Sequence, residues 1–202
     1  MQFSAAYQAF IIGQRFTKRE VIQVLLLLLT VAGPVAALDQ VVAFDIAGPT
    51  ASDIDNMSPT VLNFDVSEKG TISSLDVRLS IGAGGNGDEA YWDNMYVQIS
   101  HAGIDVVLTD LQGDNASKVS SLDAIFTDSG TDLALALLID GLTTGTFSPL
   151  QPLSAFNGVG LNGLWTVTLS DDTVPFDGTD LVAFSLQGEV IITPLVFKDS
   201  FE

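Results

Sequence analysis

The sequence predicts an all-β domain, and three observations support this prediction. Short runs in which apolar and polar residues alternate recur from residue 60 onwards, as expected for half-buried strands. Clusters of Gly, Asp, Asn, Pro and Ser separate these runs, and such residues favour turns. Only 16% of the residues are charged while 47% are apolar, a composition that provides a packed core rather than a disordered chain. We therefore expect a jelly-roll β-sandwich.

Six segments carry the alternation, and each should form one strand. In the second segment the apolar set is Ile72, Leu75, Val77, Leu79 and Ile81. The fifth is rich in β-branched and aromatic residues, which favour strands. Segment 133–139 is ambiguous, because its Leu and Ala content favours a helix but seven residues are few for one. The six predicted strands are 60–66, 71–81, 95–100, 104–109, 164–170 and 181–193.

The first 37 residues are typical of a secretory signal peptide. Residues 15–19 supply positive charge, residues 21–31 form an apolar run, and Pro34 ends it. Small residues precede a predicted cleavage site after Ala37. A retained membrane anchor is the alternative, but the run is shorter than the roughly 20 residues that span a bilayer. We expect a protein that is secreted or reaches the periplasm or cell envelope, and that meets the membrane only through this segment.

These features divide the chain into four parts. Residues 1–37 form the signal peptide, residues 38–53 a lead-in, residues 54–193 one β-sandwich domain, and residues 194–202 a C-terminal tail. The sequence shows neither an internal repeat nor an interdomain linker.

Charge and cysteine content exclude several functions. The formal net charge is −18, and it becomes −20 without residues 1–37, which hold three bases and one acid. Such a surface repels phosphate backbones, so nucleic-acid binding is excluded. The chain has no cysteine, which excludes disulfides, zinc thiolate sites and thiol nucleophiles. An exported protein without cysteine indicates a bacterial source.

The candidate enzyme motifs lack the neighbouring residues that their active sites require. The glycine-rich segment 82–87 follows a predicted strand, but Asp88, Glu89 and a further strand follow it instead of the helix that a dinucleotide site requires. His101 is the only histidine, and no Gly-x-Ser-x-Gly motif accompanies it. A hydrogen-bonded structural role is therefore the interpretation we favour for His101. No pair of carboxylates is marked as a glycosidase site. We expect no catalytic activity.

Two acidic loops favour calcium as a ligand. Calcium binds oxygen atoms that converge from turns, with glycine permitting tight bends. The first loop, 171–180, also contains Gly178, and the second, 88–94, contains Glu89 and Asn94 as well. Two solvated acidic turns remain the alternative, because neither loop has the spacing of a helix-loop-helix site. The candidate calcium ligands are Asp171, Asp172, Asp177 and Asp180 in the first loop and Asp88 and Asp93 in the second.

Several segments, in this order, resemble the P domain of proprotein convertases and bacterial subtilisin-like serine proteases. The resemblance covers about residues 54–190. Its first part is a strand, His101, a short turn, Asp105 and a second strand, and its central part is a phenylalanine and aspartate segment at 125–129. The most specific part comprises Phe147-Ser148-Pro149, Phe156-Asn157-Gly158, Asn162-Gly163-Leu164-Trp165 and Ser170-Asp171-Asp172.

The resemblance implies a galactose-binding-like jelly roll without catalytic residues. In that family the domain lies beside a subtilisin-like protease domain, which it stabilises or helps to fold, and some members bind calcium in their loops. His101, Asp105, Phe156, Gly158 and Trp165 are then structural residues. On an alternating strand, Trp165 should bury its ring and find a partner for its indole N–H. Three departures matter: the turn after His101 is shortened, a leucine precedes Trp165, and we expect no protease domain in this chain.

Three functions remain open. The first is an exported P-domain-like module that binds or stabilises a partner protein or a surface without catalysis. The second is an accessory or detached domain of a secreted serine endopeptidase, so that any proteolysis would belong to a separate catalytic domain. The third is a carbohydrate-binding or adhesion module, for which Tyr91, Trp92 and Tyr96 are the candidate residues.

The acidic loops give the first testable prediction. If they bind calcium only in the folded state, millimolar calcium raises the melting temperature of residues 38–202 by several degrees relative to chelator, as measured by calorimetry. Substitution of Asp171, Asp172, Asp177 or Asp180 by Asn should remove that increase. An identical melting temperature with calcium and with chelator would make both loops ordinary solvated turns.

Overall fold

The computed structural model of the protein describes residues 38–54, 58–83, 95–110, 121–133, 144–171 and 179–194. These residues form ten strands and a short 3₁₀ helix, so the all-β prediction is confirmed. The elements are β1 Gln40–Ala47, β2 Ala51–Ile54, β3 Thr60–Val66, β4 Thr71–Ala83, β5 Met95–His101, β6 Ile104–Asp110, β7 Ser121–Asp132, β8 Thr144–Ser148, the 3₁₀ helix Leu153–Phe156, β9 Gly163–Asp171 and β10 Thr179–Ile192.

The strands form two sheets of a jelly-roll β-sandwich. Sheet A has the order β1-β10-β4-β7-β8, and β2 pairs with β10 beside β1. Sheet B has the order β3-β9-β5-β6. The pairs are antiparallel except β7–β8, which is parallel. Each sheet also contains neighbours that are distant in sequence, β1–β10 in sheet A and β3–β9 in sheet B. The fold therefore closes only when the two ends of the domain meet.

The hydrophobic core lies between the sheets and follows the strand period. In β5 every second residue from Met95 to His101 is buried, while the residues between them are partly exposed. This alternation arises because successive side chains of a strand point to opposite faces. The largest fully buried side chains are Trp165, Phe126, Phe147, Phe156, Ile54, Ile72, Leu79, Ile81, Met95, Ile99 and Leu108.

The six predicted strands are all present, and their ends lie within two residues of the predicted ends. Four further strands, β1, β2, β7 and β8, had no strand prediction. Strand β1 lies within 38–53, the segment interpreted from the sequence as a lead-in, and β2 begins in it and ends at Ile54. Strand β1 nevertheless pairs with β10 over its whole length. In β1 the exposed face is also apolar at Val41 and Ala43, so only Asp45 contributes to the polar half of the alternation.

Some sequence predictions fall outside the described residues. These are the signal peptide, the C-terminal tail beyond residue 194 and all of the ambiguous segment 133–139 except Leu133. Within the described ranges, no helix is both long enough and apolar enough to cross a membrane.

A two-residue turn joins β5 to β6. Ala102 has a φ of 52° and Gly103 a φ of 79°, and positive φ at both central residues is the geometry of a type I′ hairpin. The turn places His101 opposite Ile104. It therefore fixes the register in which His101 enters the core.

Strand β10 contains a close backbone approach that only glycine permits, and this gives a second prediction. A Cβ atom on Gly188 would lie 2.1 Å from the carbonyl oxygen of Ser74 on β4. Gly188→Ala must therefore separate two paired strands, and we expect a loss of about 1–3 kcal/mol in the free energy of unfolding. Urea denaturation measures this loss.

The matched control is Gln187→Ala, because Gln187 precedes Gly188 on the same strand and is only partly buried. We expect this variant to stay within about 0.5 kcal/mol of the parent chain. Equal stability of the two variants would contradict the close approach.

Candidate functional site

The rings of His101 and Trp165 stack at the end of sheet B. The two residues face each other across β5 and β9, their ring centroids are 4.1 Å apart, and their planes differ by 4°. Trp165 is fully buried, and its Nε1 donates a hydrogen bond of 2.9 Å to the carbonyl oxygen of Leu161. The sequence predicted this burial and the need for an indole partner, while the stacking partner was not foreseen.

His101 occupies a structural position. It is 5% exposed, its Nδ1 lies 2.9 Å from the carbonyl oxygen of Leu164, and its Nε2 lies 2.7 Å from that of Gly160. A general base needs a ring nitrogen within hydrogen-bond reach of a substrate proton. Here both nitrogens face backbone carbonyls, so a substrate could reach neither without displacing a carbonyl.

Of the other predicted structural residues, Phe156 contacts this stack, while Gly158 and Asp105 are exposed. Phe156 is fully buried, and its ring centroid lies 5.2 Å from that of Trp165. Gly158 has a φ of 84°, so it occupies a backbone region that glycine adopts without strain. Asp105 is exposed on β6, where it pairs with Ser100.

The 3₁₀ helix is held by a carboxylate that the sequence analysis did not single out. The two oxygens of Asp128, on β7, accept hydrogen bonds from the backbone N–H groups of Leu153 and Ser154, at 2.6 and 2.9 Å. This contact satisfies donors at the start of the helix that have no partner within it. The signal in the sequence was the phenylalanine and aspartate segment at 125–129, which had been noted only as part of the resemblance.

The candidate calcium ligands are only partly within the described residues. Asp171 ends β9, and Asp180 is the second residue of β10, where it pairs with Gly82. Asp172, Asp177, Asp88 and Asp93 lie outside the described residues. Among the residues that the structure covers, no group of three or more His, Asp or Glu side chains is arranged to hold a metal ion. Calcium binding remains a prediction.

The outward-facing side chains of β5 between Tyr96 and Ser100 are polar. The hydroxyl of Tyr96 donates to Gln98, whose Nε2 donates to Ser100 at 3.0 Å. Burial raises the pKa of Tyr96, and the negative charges of Asp110 and Asp105 raise it further, so the phenol keeps the proton that it donates. Among the three aromatic residues proposed for sugar binding, Tyr91 and Trp92 lie outside the described residues.

Strand β1 forms an edge of sheet A. It pairs with β10 over all eight residues, from Gln40 opposite Ile192 to Ala47 opposite Ser185. No described strand pairs with the opposite side of β1, which we call the outer edge. In an antiparallel pair, alternate residues direct both their N–H and C=O groups away from the partner strand. The outer edge therefore presents a regular row of backbone donors and acceptors.

The side chains of β1 are unusually apolar for an edge. Val41 is 62% exposed and Val42 is 40% exposed, while Phe44 and Ile46 are partly buried against the core. Asp45 is the only charged residue of the strand. Proteins usually protect an edge strand with lysine, proline or a bulge. Strand β1 contains neither lysine nor proline, and its register with β10 is unbroken.

The edge of sheet B at β6 contrasts with β1. There the backbone N–H groups of Leu150 and Gln151 donate to the carbonyl oxygens of Leu108 and Val107, at 3.0 and 2.9 Å. The side chain of Gln151 also accepts a hydrogen bond of 2.9 Å from Val107 N–H. The chain thus covers the β6 edge with its own backbone, while β1 keeps a bare outer edge within the described structure.

Comparisons with known proteins give only distant likenesses. No protein-family model matches the chain, and no curated protein does. The chain is 15% identical to the structure of a serine protease of Aeromonas sobria, with a TM-score of 0.46, covering 82% of this chain and 29% of that one. For the complex of this protease with its chaperone the identity is 14%, the TM-score 0.42 and the coverage 87% and 30%.

A third structure, PfGH50B, is 14% identical, with a TM-score of 0.35 and coverage of 82% and 25%. The chain thus spans less than a third of each of these chains. Likenesses this distant do not decide what the chain does.

The buried stack gives a third prediction. Trp165→Ala removes a ring that contacts His101 and Phe156 and leaves a cavity, so we expect a loss of about 3–5 kcal/mol in the free energy of unfolding. Leu164→Ala is the control on the same strand, because the Leu164 side chain is 55% exposed and should contribute less than about 0.5 kcal/mol. A loss below about 1 kcal/mol for Trp165→Ala, measured by denaturant unfolding, would contradict its role in the core.

Proposed function

We propose that this chain is an exported, non-catalytic module that binds a partner protein through the outer edge of β1. One observation carries the proposal: within the described residues, no strand pairs with the outer edge of the eight-residue strand β1, and Val41 and Val42 are exposed beside it. Backbone groups of this kind pair readily with an extended segment of another chain. Water can also satisfy these backbone groups, but it leaves the two valines exposed. A protein partner would bury them, and the burial of apolar surface favours binding.

The non-catalytic part of the proposal is supported by His101. This residue is the only histidine of the chain, and both of its ring nitrogens face carbonyl oxygens of the fold. Its stacking on Trp165 further assigns it to the core. A hydrolase that used His101 as a base would first have to break this arrangement.

The partner class that the sequence resemblance implies is a secreted subtilisin-like serine protease. In that case the module would act on the folding or stability of the protease, and proteolysis would belong to the partner. Among the motif residues that carry the resemblance, Trp165 and Phe156 lie in the core, and Gly158 is exposed with a φ of 84°. They support the fold of such a module rather than its contact with a protease. The β1 edge is a separate feature that supplies the contact.

The proposal predicts that charge on the β1 edge abolishes partner binding without unfolding the chain. Val41 and Ala43 share the exposed face of β1, so the double variant Val41→Lys, Ala43→Lys adds two ammonium groups and removes no buried contact. Val61→Lys is the matched control, because Val61 is 54% exposed on β3, at an edge of sheet B.

The measurement is saturable capture from the medium into which the protein is exported, with the parent chain and both variants immobilised. We expect the parent chain and Val61→Lys to retain one and the same partner. The affinity of the double variant for that partner should be at least about tenfold lower. Equal retention by all three chains would place the binding surface elsewhere and overturn the proposal. Unchanged melting temperatures verify that both variants fold.

A further inference from the structure

We infer that the outer edge of β1 accepts one particular kind of segment: an extended strand of about eight residues in which apolar residues alternate with Lys or Arg. This inference rests on the proposed function and specifies the chemistry of the partner. Four features of the described residues support it, namely the backbone pattern, the inner face, the outer face and the charge of the whole chain.

The backbone pattern requires an extended partner. The N–H and C=O groups on the outer edge of β1, which no described strand pairs, repeat every second residue along the strand. Only another strand presents complementary groups at that spacing. A helix satisfies its own backbone groups and could contact β1 only through side chains. Because β1 has eight residues and a strand rises about 3.3 Å per residue, the added segment spans roughly 26 Å.

The inner face of the added strand should be apolar. On β1 this face carries Val42, Phe44 and Ile46, of which Phe44 and Ile46 pack partly against the core. A strand added beside them would place every second side chain next to these three. Apolar side chains there would cover the remaining exposed area of Val42 and extend the core by one strand.

The outer face of the added strand should be basic. Asp45 points to the outer face of sheet A, opposite Gln187, which in turn lies opposite Asp76 on β4. In the next row Ala43 lies opposite Glu189, which is exposed. The part of sheet A nearest the outer edge therefore carries three carboxylates.

Among the described residues of this face, the one base already has a partner. The guanidinium of Arg78 donates two hydrogen bonds to the carboxylate of Asp123 on β7, at 3.1 and 2.9 Å. The hydrogen bond and charge of Asp123, with a smaller effect of Asp45, raise the pKa of Arg78. Because Asp123 occupies the fork of Arg78, a Lys or Arg on a strand added beside β1 is left to neutralise Asp45. Glu189 on β10 and Asp76 on β4 lie one and two strands further in, so they add attraction at longer range.

The charge of the chain disfavours a second copy as the occupant. Pairing β1 with β1 of another molecule would bring together two chains with a formal charge of −18 each. It would also place no base opposite Asp45, because β1 contains none. A cationic segment gains attraction where a second copy meets repulsion.

Synthetic peptides test the inference with the full chain. The probe is a capped eight-residue peptide of alternating Val and Lys, and the first control alternates Val and Glu. A second control contains the residues of the probe with a proline near its centre, which removes one backbone donor. Fluorescence anisotropy measures affinity, and amide hydrogen exchange locates binding.

We expect the Val-Lys peptide to bind at least about tenfold more tightly than the Val-Glu peptide and than the proline control. Amide exchange should slow in residues 40–47 and not in β3. Binding should weaken as salt rises from about 0.05 to 0.5 M, because exposed charges are screened. The double variant Val41→Lys, Ala43→Lys should lose binding, and Val61→Lys should retain it.

Other outcomes overturn the inference. Equal or tighter binding of the Val-Glu peptide would refute the basic face, and slowed exchange outside β1 would refute the edge. Protection of residues 40–47 that rises with protein concentration alone would identify a second copy as the occupant. If these peptide tests fail while partner capture still depends on Val41 and Ala43, the proposed function stands and only the chemistry assigned to the partner is wrong.

Discussion

The fold depends on the burial of Trp165, because its indole N–H holds the segment that joins the two sheets at one end. The indole ring has one polar group, and its Nε1 is satisfied by Leu161, which belongs to the segment between the 3₁₀ helix and β9. That segment is also hydrogen-bonded to sheet A. Leu161 N–H donates to the carbonyl oxygen of Gly70 at 2.9 Å, and Ile72 N–H donates to that of Val159 at 2.8 Å. A few irregular residues thus tie sheet B to β4.

Asp128 extends the same junction to β7. Its carboxylate binds the first backbone N–H groups of the 3₁₀ helix, and Phe156 at the end of that helix packs on Trp165. Phe156 and Trp165 therefore serve one purpose, the closure of the sandwich by a short segment that bonds to β4 at only a few residues. This explains why the resemblance in the sequence is strongest in 147–167 and why it identifies a fold more clearly than a function.

The sequence predicts the central strands well because their two faces differ. In 71–81 and 95–100 one face is apolar and the other polar, so a period of two is visible without knowledge of the partner strands. Trp165 was predicted to be buried for the same reason. The stack with His101 was not predictable, since it depends on the register of β5 and β9. His101 and Trp165 lie 64 positions apart in the chain and meet only through that register.

The candidate binding edge was missed for the opposite reason. Strand β1 has apolar residues on both faces at Val41 and Val42, so it lacks the alternation that marks a strand. A signal was present nevertheless, because residues 40–47 contain a single charge in a strongly acidic chain. Only the sheet order shows that this segment lies at an edge. Exposed apolar residues at an edge can contact a partner instead of packing in the core.

The large net charge of the chain compensates for the missing local protection of the β1 edge. An unprotected apolar edge strand tends to pair with copies of itself, and β1 lacks the local devices that prevent this. The net charge of −18 opposes self-association at long range, since it acts between whole molecules before any edge can meet. The same field attracts a cationic segment and raises its rate of encounter. Because β10 holds β1 along its whole length, the edge is already ordered before binding, and an incoming strand alone pays the entropy of ordering. From composition alone, the acidity of the chain accounts for solubility. At the β1 edge it also selects which strands can be accepted.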